Sequence, residues 1–509
     1  MSNQANTKWV VAGLLLSILM AAMDNTIVAT AMGTIVADLG GLDQFVWVTS
    51  AYMVATMAGM PIFGKLSDMY GRKRFFVFGL IVFLLGSALC GLAQTMTQLS
   101  LFRAIQGIGG GALMPIAFTI IFDTFPPEKR GKMTGMLGAV FGLSSVLGPL
   151  LGAYITEAIS WHWVFYVNVP LGVLALFFII GFYKESAVHR KQQIDWVGAV
   201  TLVVAIVALM FALELGGSDG YAWNSIAILG LFAAFAVFFI AFVLAERKAV
   251  DPILPFWLFK RRLFASSQVL AFLYGATFII LTVYIPLFVQ AVYGGSATNA
   301  GLILTPMMLG SVAGSALGGI FQTKIPFRRL MTVSVISFFA GMALLAFMSP
   351  DTSRVLLTIY MVLAGFGVGF SFSMLPTASM HNLEPQYRGT ANSTNSFLRS
   401  FGMTLGITIF GAIQSSVLAS RLKDAFAGQE AGGFAGGDLR SVFQSDVRSQ
   451  IPPDILDKIV NAMSDSITSM FLFALIPIAL AAVAIAFMGN AKAGAEESNG
   501  AERADGSRS

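Results

Sequence analysis

Long apolar stretches separated by short polar loops run along almost the whole chain. Fourteen of them reach the length of about 20 residues that an α-helix needs to cross a bilayer. Apolar positions do not alternate with period two, which argues against a membrane β-barrel. The pattern predicts an all-α polytopic membrane protein with spans at 9–32, 43–64, 75–94, 97–121, 132–156, 162–183, 195–215, 225–245, 264–291, 298–321, 329–348, 353–377, 390–418 and 467–489.

Basic residues predict how the spans are oriented. Nineteen Lys and Arg side chains fall in the loops that follow even-numbered spans, and one, Arg354, falls in the short loops on the other side. Cytoplasmic loops carry the excess of positive charge. The sequence therefore predicts a multi-pass protein of the plasma (inner) membrane with both termini cytoplasmic. The first span continues past Asp24 to Met32 without a cleavage site, so it is not expected to be a signal peptide.

The composition supports this class and excludes others. The 509 residues are 56% hydrophobic and 11% charged, whereas soluble proteins carry about 25% charged residues. A soluble enzyme, a nucleic-acid-binding domain and a disordered protein are therefore excluded. We find no nucleophile triad and no His/Cys ligand cluster, and we predict no enzyme activity, no cofactor and no metal.

Two glycine-rich segments superficially resemble phosphate-binding loops. Gly59–Leu66 fits G-x-x-x-x-G-K but ends on Leu66 instead of Ser or Thr, and Gly107–Ala112 fits G-x-G-x-x-A. Both segments lie in membrane spans and not between a strand and a helix. Small residues that allow close helix packing explain them better, so neither nucleotide nor nucleic acid is a predicted partner.

The loops divide the chain into two six-helix bundles and an inserted pair. We predict an N-terminal bundle at 1–188, the inserted helices seven and eight at 189–263, and a C-terminal bundle at 264–489. A long outer loop at 420–466 contains Ile455, Ile459 and Met463 at spacing four, which predicts a short amphipathic helix, either a lid or a packing helix. Residues 490–509 are predicted to be a disordered cytoplasmic tail.

Internal repetition supports the two bundles. Pro127–Gly131 and Pro385–Gly389 both have the pattern P-x-x-R-G, at the start of the fifth and the thirteenth span. Gly64–Arg74 and Gly319–Arg329 also resemble each other, though more weakly. Repeated helical halves are the usual architecture of secondary transporters, whose binding site lies at the midplane between them.

Few charged residues lie inside the spans, and two of them have matching depths. Asp24 lies roughly 10–14 Å below the predicted outer end of span one, and Arg103 lies ~9 Å below that face in span four, at 1.5 Å per residue. Pairing is therefore plausible. Glu157 and Glu214 lie close to the outer ends, and Arg399 lies two to three turns inside its span, with backbone carbonyls or an unidentified carboxylate as partner.

Asp24 is the candidate proton carrier because it is the only acid placed deep in a span. Removal from water favours a protonated carboxylic acid, while a nearby guanidinium favours the ionised form. A group balanced between these effects can load and release a proton when its water access changes sides. The alternative is a static ion pair that holds two helices together.

Several segments resemble signatures of the major facilitator superfamily, in particular its fourteen-helix drug/proton antiporter branch. Ser144 replaces the usual first glycine of the helix-five signature, and His162 stands where arginine is common. The resemblance is carried by the loop Gly64–Arg74, by Leu99–Ala112 in helix four, by Ser144–Ala153 in helix five, by Asp24–Val28 in helix one and by Trp161–Pro170 at the start of helix six.

The resemblance implies a role for each of these segments. Asp24 and Arg103 would couple transport to protons. The loop, with Gly64, Asp68, Gly71, Arg72 and Lys73, would be a latch that holds the bundles together in the outward-facing state. In helix five, Gly148, Pro149 and Gly152 would form a hinge and allow close helix approach at the bundle interface.

The implied function is proton-coupled export of lipophilic drugs and dyes by alternating access, with membrane lipids as surroundings and a monomer as the expected state. Spans nine to fourteen contain no acid, so we expect neutral or monovalent cationic substrates and not divalent cations. A lipid or glycolipid flippase and a channel or membrane scaffold remain alternatives. A cavity suited to apolar guests would be lined by Asn25, Gln106, Met114, Tyr274, Tyr284, Met307 and Met308.

Overall fold

A computed structural model describes residues 2–41, 44–185, 193–216, 221–294, 303–426 and 451–493. The described chain is a set of long helices joined by short connections. Those of the first half are α1 (Ser2–Leu39), α2 (Phe45–Tyr70), α3 (Arg72–Cys90), α4 (Met96–Thr124), α5 (Pro127–Ala158), the single turn α6 (Trp163–Tyr166) and α7 (Asn168–Phe182).

Two helices then lead to the second half. These are α8 (Trp196–Leu215) and α9 (Ile226–Lys248), followed by the 3-10 turn Phe256–Lys260. The second half consists of α10 (Arg262–Ala291), α11 (Leu304–Phe321), α12 (Phe327–Ala346), α13 (Arg354–Met380), α14 (Pro385–Ala425) and α15 (Pro453–Ala486).

The helices confirm the predicted all-α membrane class. Thirteen helices of the described chain are long and apolar enough to cross a membrane, with α6 and α7 counted as one. The one predicted span outside this set, 43–64, corresponds to α2, which is 26 residues long. The chain is therefore a multi-pass membrane protein.

Separate apolar cores match the two halves and the inserted pair. One core joins α10 to α15, and two others join α1 to α7. A fourth core packs α8 and α9 against Met57 and Ala58 of α2 and against Phe397 and Phe401 of α14. The inserted pair therefore contacts helices of both halves.

Two boundary predictions are wrong in detail. The sequence predicts a separate short helix around Ile455–Met463, but this segment is the first part of α15, a continuous helix of 34 residues. Residues 490–493, predicted to be part of a disordered tail, instead pack on the protein, because the Ala493 N–H donates to the Gln322 carbonyl (3.0 Å) and the Phe327 N–H donates to the Ala491 carbonyl (3.0 Å). Residues 427–450 and 494–509 lie outside the described residues.

Candidate functional site

The predicted pair of Asp24 and Arg103 is formed. Asp24 in α1 has no exposed surface, and one of its oxygens, Oδ2, contacts Arg103 Nη1 of α4 in a salt bridge. The other oxygen, Oδ1, accepts hydrogen bonds from Gln106 Nε2 (2.7 Å) and Asn168 Nδ2 (3.0 Å). Both oxygens thus meet donors, which stabilises the ionised carboxylate in this conformation.

The guanidinium of Arg103 is held from several sides. Its Nε donates to the Val48 carbonyl (3.2 Å), its Nη1 donates to Gln106 Oε1 (2.7 Å), and its carbon lies 4.1 Å from the centre of the Tyr52 ring. Its Nη2 is buried and has no hydrogen-bond partner within the described ranges. The site therefore keeps one guanidinium nitrogen, with its two N–H groups, unused next to the carboxylate.

A further layer reaches α3 and α6. Asn168 Nδ2 also lies 3.0 Å from Ser87 Oγ, and Ser87 Oγ donates to the Phe165 carbonyl (2.8 Å). Sequence reasoning missed Ser87 and Asn168, although Asn168 lies inside the motif quoted for the start of helix six. Gln106, expected in the substrate cavity, instead belongs to this network and is fully buried.

The burial of Asp24 has a mechanistic consequence. With no exposed surface, its carboxylate does not meet water in this conformation. Proton exchange at Asp24 therefore requires a second conformation in which the contact with Arg103 opens. Its role as proton carrier stays a prediction.

The five residues of the predicted latch gather at one end of the molecule, which we call the latch end. Asp68 near the end of α2 accepts the backbone N–H groups of Gly389 (2.8 Å) and Thr390 (2.6 Å) of α14. It also accepts a hydrogen bond from the Thr390 hydroxyl (2.9 Å). A carboxylate of the first bundle is thus bonded directly to a helix of the second.

Arg72 adds a charged network around this contact. It pairs with Asp68 (2.7 Å) and Asp123 (3.2 Å), and it donates to the Pro385 carbonyl (2.5 Å) of the second bundle. Asp123 also pairs with Arg388 (2.8 Å). Sequence reasoning did not assign Asp123, while the P-x-x-R-G repeat did point to Arg388.

The other latch residues shape the turn and the close approach. Gly71 has φ +112°, in the region that favours glycine, between α2 and α3. Lys73 Nζ donates to the carbonyls of Ile180 (2.8 Å) and Tyr183 (2.7 Å) at the end of α7. A Cβ on Gly64 would lie 2.0 Å from Ser393 Oγ of α14, so only glycine allows α2 to lie this close.

The repeated motif forms the same local structure twice. Arg130 Nε donates to the Phe125 carbonyl (2.8 Å), and Arg388 Nε donates to the Leu383 carbonyl (3.0 Å), each five residues upstream. The glycine that ends each motif lies against a glycine of the other half. Gly131 meets Gly319 where α5 crosses α11, and Gly389 meets Gly64 where α14 crosses α2.

The helix-five glycines lie elsewhere than expected. A Cβ on Gly148 would lie 1.9 Å from Thr26 Oγ1, and one on Gly152 would lie 2.1 Å from Thr30 Oγ1. Both partners belong to α1. The close approach is thus inside the first bundle and not at the bundle interface, while the hinge role of Gly148, Pro149 and Gly152 stays a prediction.

The structure does not gather the predicted substrate residues into one site. Asn25 is exposed and Met114 is partly buried. Tyr274 packs inside the second bundle, where its hydroxyl contacts Ser334 Oγ (2.8 Å). The remaining three side chains, which are also buried in the second bundle, are Tyr284, Met307 and Met308.

The described residues contain no group of three or more His, Cys, Asp or Glu side chains that could hold a metal ion. The two segments that resemble phosphate loops lie within α2 and α4. Their glycines pack on neighbouring helices, since a Cβ on Gly109 would lie 2.3 Å from the Phe83 nitrogen.

Comparison with known proteins gives the family. The profile of the Major Facilitator Superfamily matches residues 14–407. The chain is 71% identical over 496 residues to Multidrug resistance protein 3 of Bacillus subtilis, and the alignment covers 96% of this chain and 97% of that protein. It is 37% identical over 506 residues to the Multidrug transporter protein MdtP of the same organism, and the alignment covers 95% of this chain and 93% of that protein.

A solved structure supports the fold independently. The human organic anion transporter MFSD10 superposes with a TM-score of 0.61 over 92% of this chain and 99% of that one, at 14% identity. An identity this low supports the fold alone. Two bundles joined through repeated motifs, a matching profile and close relatives identify the chain as a member of the Major Facilitator Superfamily, a family of transporters and not of enzymes.

Proposed function

We propose that this transporter exports hydrophobic drugs and dyes, neutral or monovalent cationic, in exchange for protons. The names of its relatives support multidrug substrates. The observation that carries proton coupling is Asp24, a fully buried acid whose two oxygens are bonded to side chains of α4 and α7.

The proposed cycle is alternating access. In the present conformation the carboxylate is held by Arg103, Gln106 and Asn168, which suits the deprotonated state. A second conformation would open Asp24 to water on one side, and protonation would remove the charge that holds Arg103. The contacts of α2 with α14 and of α5 with α11 at the latch end would then break.

We place the latch end at the cytoplasmic face of the plasma membrane, with both termini on that side. The basic residues of the sequence support this orientation, because the latch loop alone carries Lys65, Arg72, Lys73 and Arg74. In this orientation the structure has its bundles joined on the cytoplasmic side. This corresponds to a transporter closed on the cytoplasmic side, in which Asp24 would still have to open to outside water before it takes a proton.

Proteoliposomes that contain the purified protein test the proposal. Wild-type protein should move protons when a candidate drug is added and should export the drug against its gradient. Asp24→Asn should abolish proton-coupled export while membrane insertion stays intact. The matched control is Asp38→Asn, which neutralises an acid of the same helix that is exposed and accepts from Trp161 Nε1 (2.8 Å).

Two outcomes would contradict the proposal. Uphill export by Asp24→Asn at normal rate and expression would remove Asp24 from the coupling. Transport that lipid competes for, without movement of the drug, would indicate a lipid flippase instead.

A further inference from the structure

Arg399 lies in the middle of α14 without an acidic partner. It is 14 residues beyond Pro385, or about 21 Å along the helix. The helices α10 to α13 contain no Asp or Glu, and the acid of α14, Asp424, lies at its far end. An ionisable group at such depth is a candidate functional site.

The hydrogen bonds of Arg399 use only part of its capacity. Nη1 donates to Ser371 Oγ (3.2 Å) and Nη2 donates to the Ser371 carbonyl (3.0 Å). The guanidinium carbon lies 4.8 Å from the centre of the Phe372 ring. A guanidinium has five N–H donors, and the others have no hydrogen-bond partner among the described residues. The residue is only partly buried, so some of its surface remains accessible.

The surroundings place this side chain on the side of the second bundle that faces the first. Phe372 of α13 lies against Gly138 of α5, where a Cβ on Gly138 would be 3.2 Å from the Phe372 Cβ. On either side of Arg399 along α14, Asn392 Nδ2 donates to the Pro115 carbonyl of α4 (2.7 Å), and Thr404 Oγ1 lies 3.7 Å from Met57 Sδ of α2.

The charge balance of the membrane region is therefore positive near Arg399. The charges of Asp24 and Arg103 compensate each other in their salt bridge. The charge of Arg399 has no such compensation in the described chain, and Ser371 offers only neutral acceptors. A planar guanidinium with free donors matches the geometry of oxygen anions, and a carboxylate is the common organic group of this kind that carries a single charge.

We propose that Arg399 binds an oxygen anion of an amphiphilic organic substrate, a carboxylate above all, in the space between the bundles. The inference rests on the proposed export function and refines its substrate class. Among the substrates proposed above, neutral compounds with carbonyl acceptors suit this position, and cations do not. We therefore expect compounds that carry one acidic group to be substrates as well.

The test compares two probes that differ in one group, coumarin-3-carboxylate and its neutral ethyl ester. Binding of each is measured by fluorescence to the full-length protein in nanodiscs without anionic lipid. The variants are Arg399→Gln and Arg399→Lys. The matched control is Arg421→Gln on the same helix, since Arg421 is 53% exposed and pairs with Asp465 at 3.5 Å.

We expect Arg399→Gln to weaken carboxylate binding roughly tenfold or more, as for the loss of a hydrogen bond to a charged group. The affinity of Arg399→Gln for the ester should differ less than about threefold from that of wild type. Arg399→Lys should fall between, because it keeps the charge and loses the planar fork. Arg421→Gln should bind both probes as wild type does.

Three results would overturn the inference: wild-type protein that does not bind the carboxylate, carboxylate binding unchanged in Arg399→Gln, or equal losses for both probes. Export of the ester by wild-type protein is measured in parallel, so that the two proposals fail separately. If wild-type protein exports the ester but carboxylate binding does not depend on Arg399, the inference about Arg399 fails and the export function stands. If carboxylate binding depends on Arg399 but neither probe is transported, the binding site stands and the proposed export function fails.

Discussion

A single methyl group at Gly131 should force the latch end apart. A Cβ on Gly131 would lie 1.6 Å from the Gly319 oxygen and 2.7 Å from the Gly319 carbonyl carbon. Both are backbone atoms, so no side-chain rotation relieves the overlap. Because ordinary contact begins at 3.4 Å, α5 and α11 must separate by about 1.8 Å, or the variant must leave this conformation.

The expected shift follows from the cost of overpacking. Inserting a methyl group into a packed contact costs typically about 1–3 kcal/mol. If that cost applies only where the latch end is joined, the ratio of joined to separated molecules falls roughly 5- to 150-fold. Gly131→Ala should therefore populate the separated conformation strongly.

Distances between spin labels measure this shift. The labels are attached to Lys129→Cys and Lys324→Cys, two exposed positions on either side of the α5–α11 contact. The buried Cys90 is replaced by alanine. The control Gly230→Ala changes a glycine of α9 that has no atom within 4 Å of its Cβ position. It should keep the wild-type distances.

An unchanged distance distribution in Gly131→Ala, in protein that expresses and binds substrate normally, would refute the reasoning. It would mean that the two helices are not held together at this glycine pair in the membrane. A shift of the same size in the Gly230→Ala control would also refute it, because the effect would then not depend on the contact.

Three further substitutions test other contacts of the site. Asp68→Asn weakens the charged hydrogen bonds to the Thr390 backbone and hydroxyl and should cost about 1.5–3 kcal/mol of the joined conformation, visible as longer distances between the same labels. Tyr274→Phe removes the 2.8 Å contact with Ser334 and should lower stability by about 0.5–1.5 kcal/mol without loss of export; a strong export defect at normal stability would restore Tyr274 to the substrate site. Gln322→Met removes a fully buried amide whose two polar atoms have no hydrogen-bond partner in the described chain, and it should raise the melting temperature; a lower melting temperature would show that the amide has a partner in the membrane.

The sequence predicts features that follow from strong and local physical constraints. The spans follow from the length that a bilayer requires of apolar helices. The pairing of Asp24 with Arg103 follows from depth, because two opposite charges at the same level of the membrane have few other ways to be stabilised. The turn at Gly71 follows from the conformations that glycine allows.

Other features depend on which helix faces go together, which no local pattern determines. Asn168 reaches Asp24 from 144 positions away, and the motif around it does not indicate which helix its side chain faces. The predicted substrate residues were chosen by type, and the structure disperses them because Tyr274 and Met307 face the interior of the second bundle. Asp123 was missed for the same reason, since its partners belong to α3 and α14.

The helix α5 connects the buried acid to the latch end. Gly148 and Gly152 bring it against Thr26 and Thr30 of α1, within two turns of Asp24. Its other end, at Gly131, lies directly on α11 of the second bundle. Packed interfaces of this kind change between discrete arrangements and do not deform gradually. If Asp24 carries the proton as we propose, a displacement of α1 on its protonation would be transmitted along α5 to the contact that joins the bundles, and neither site would have to reach the other directly.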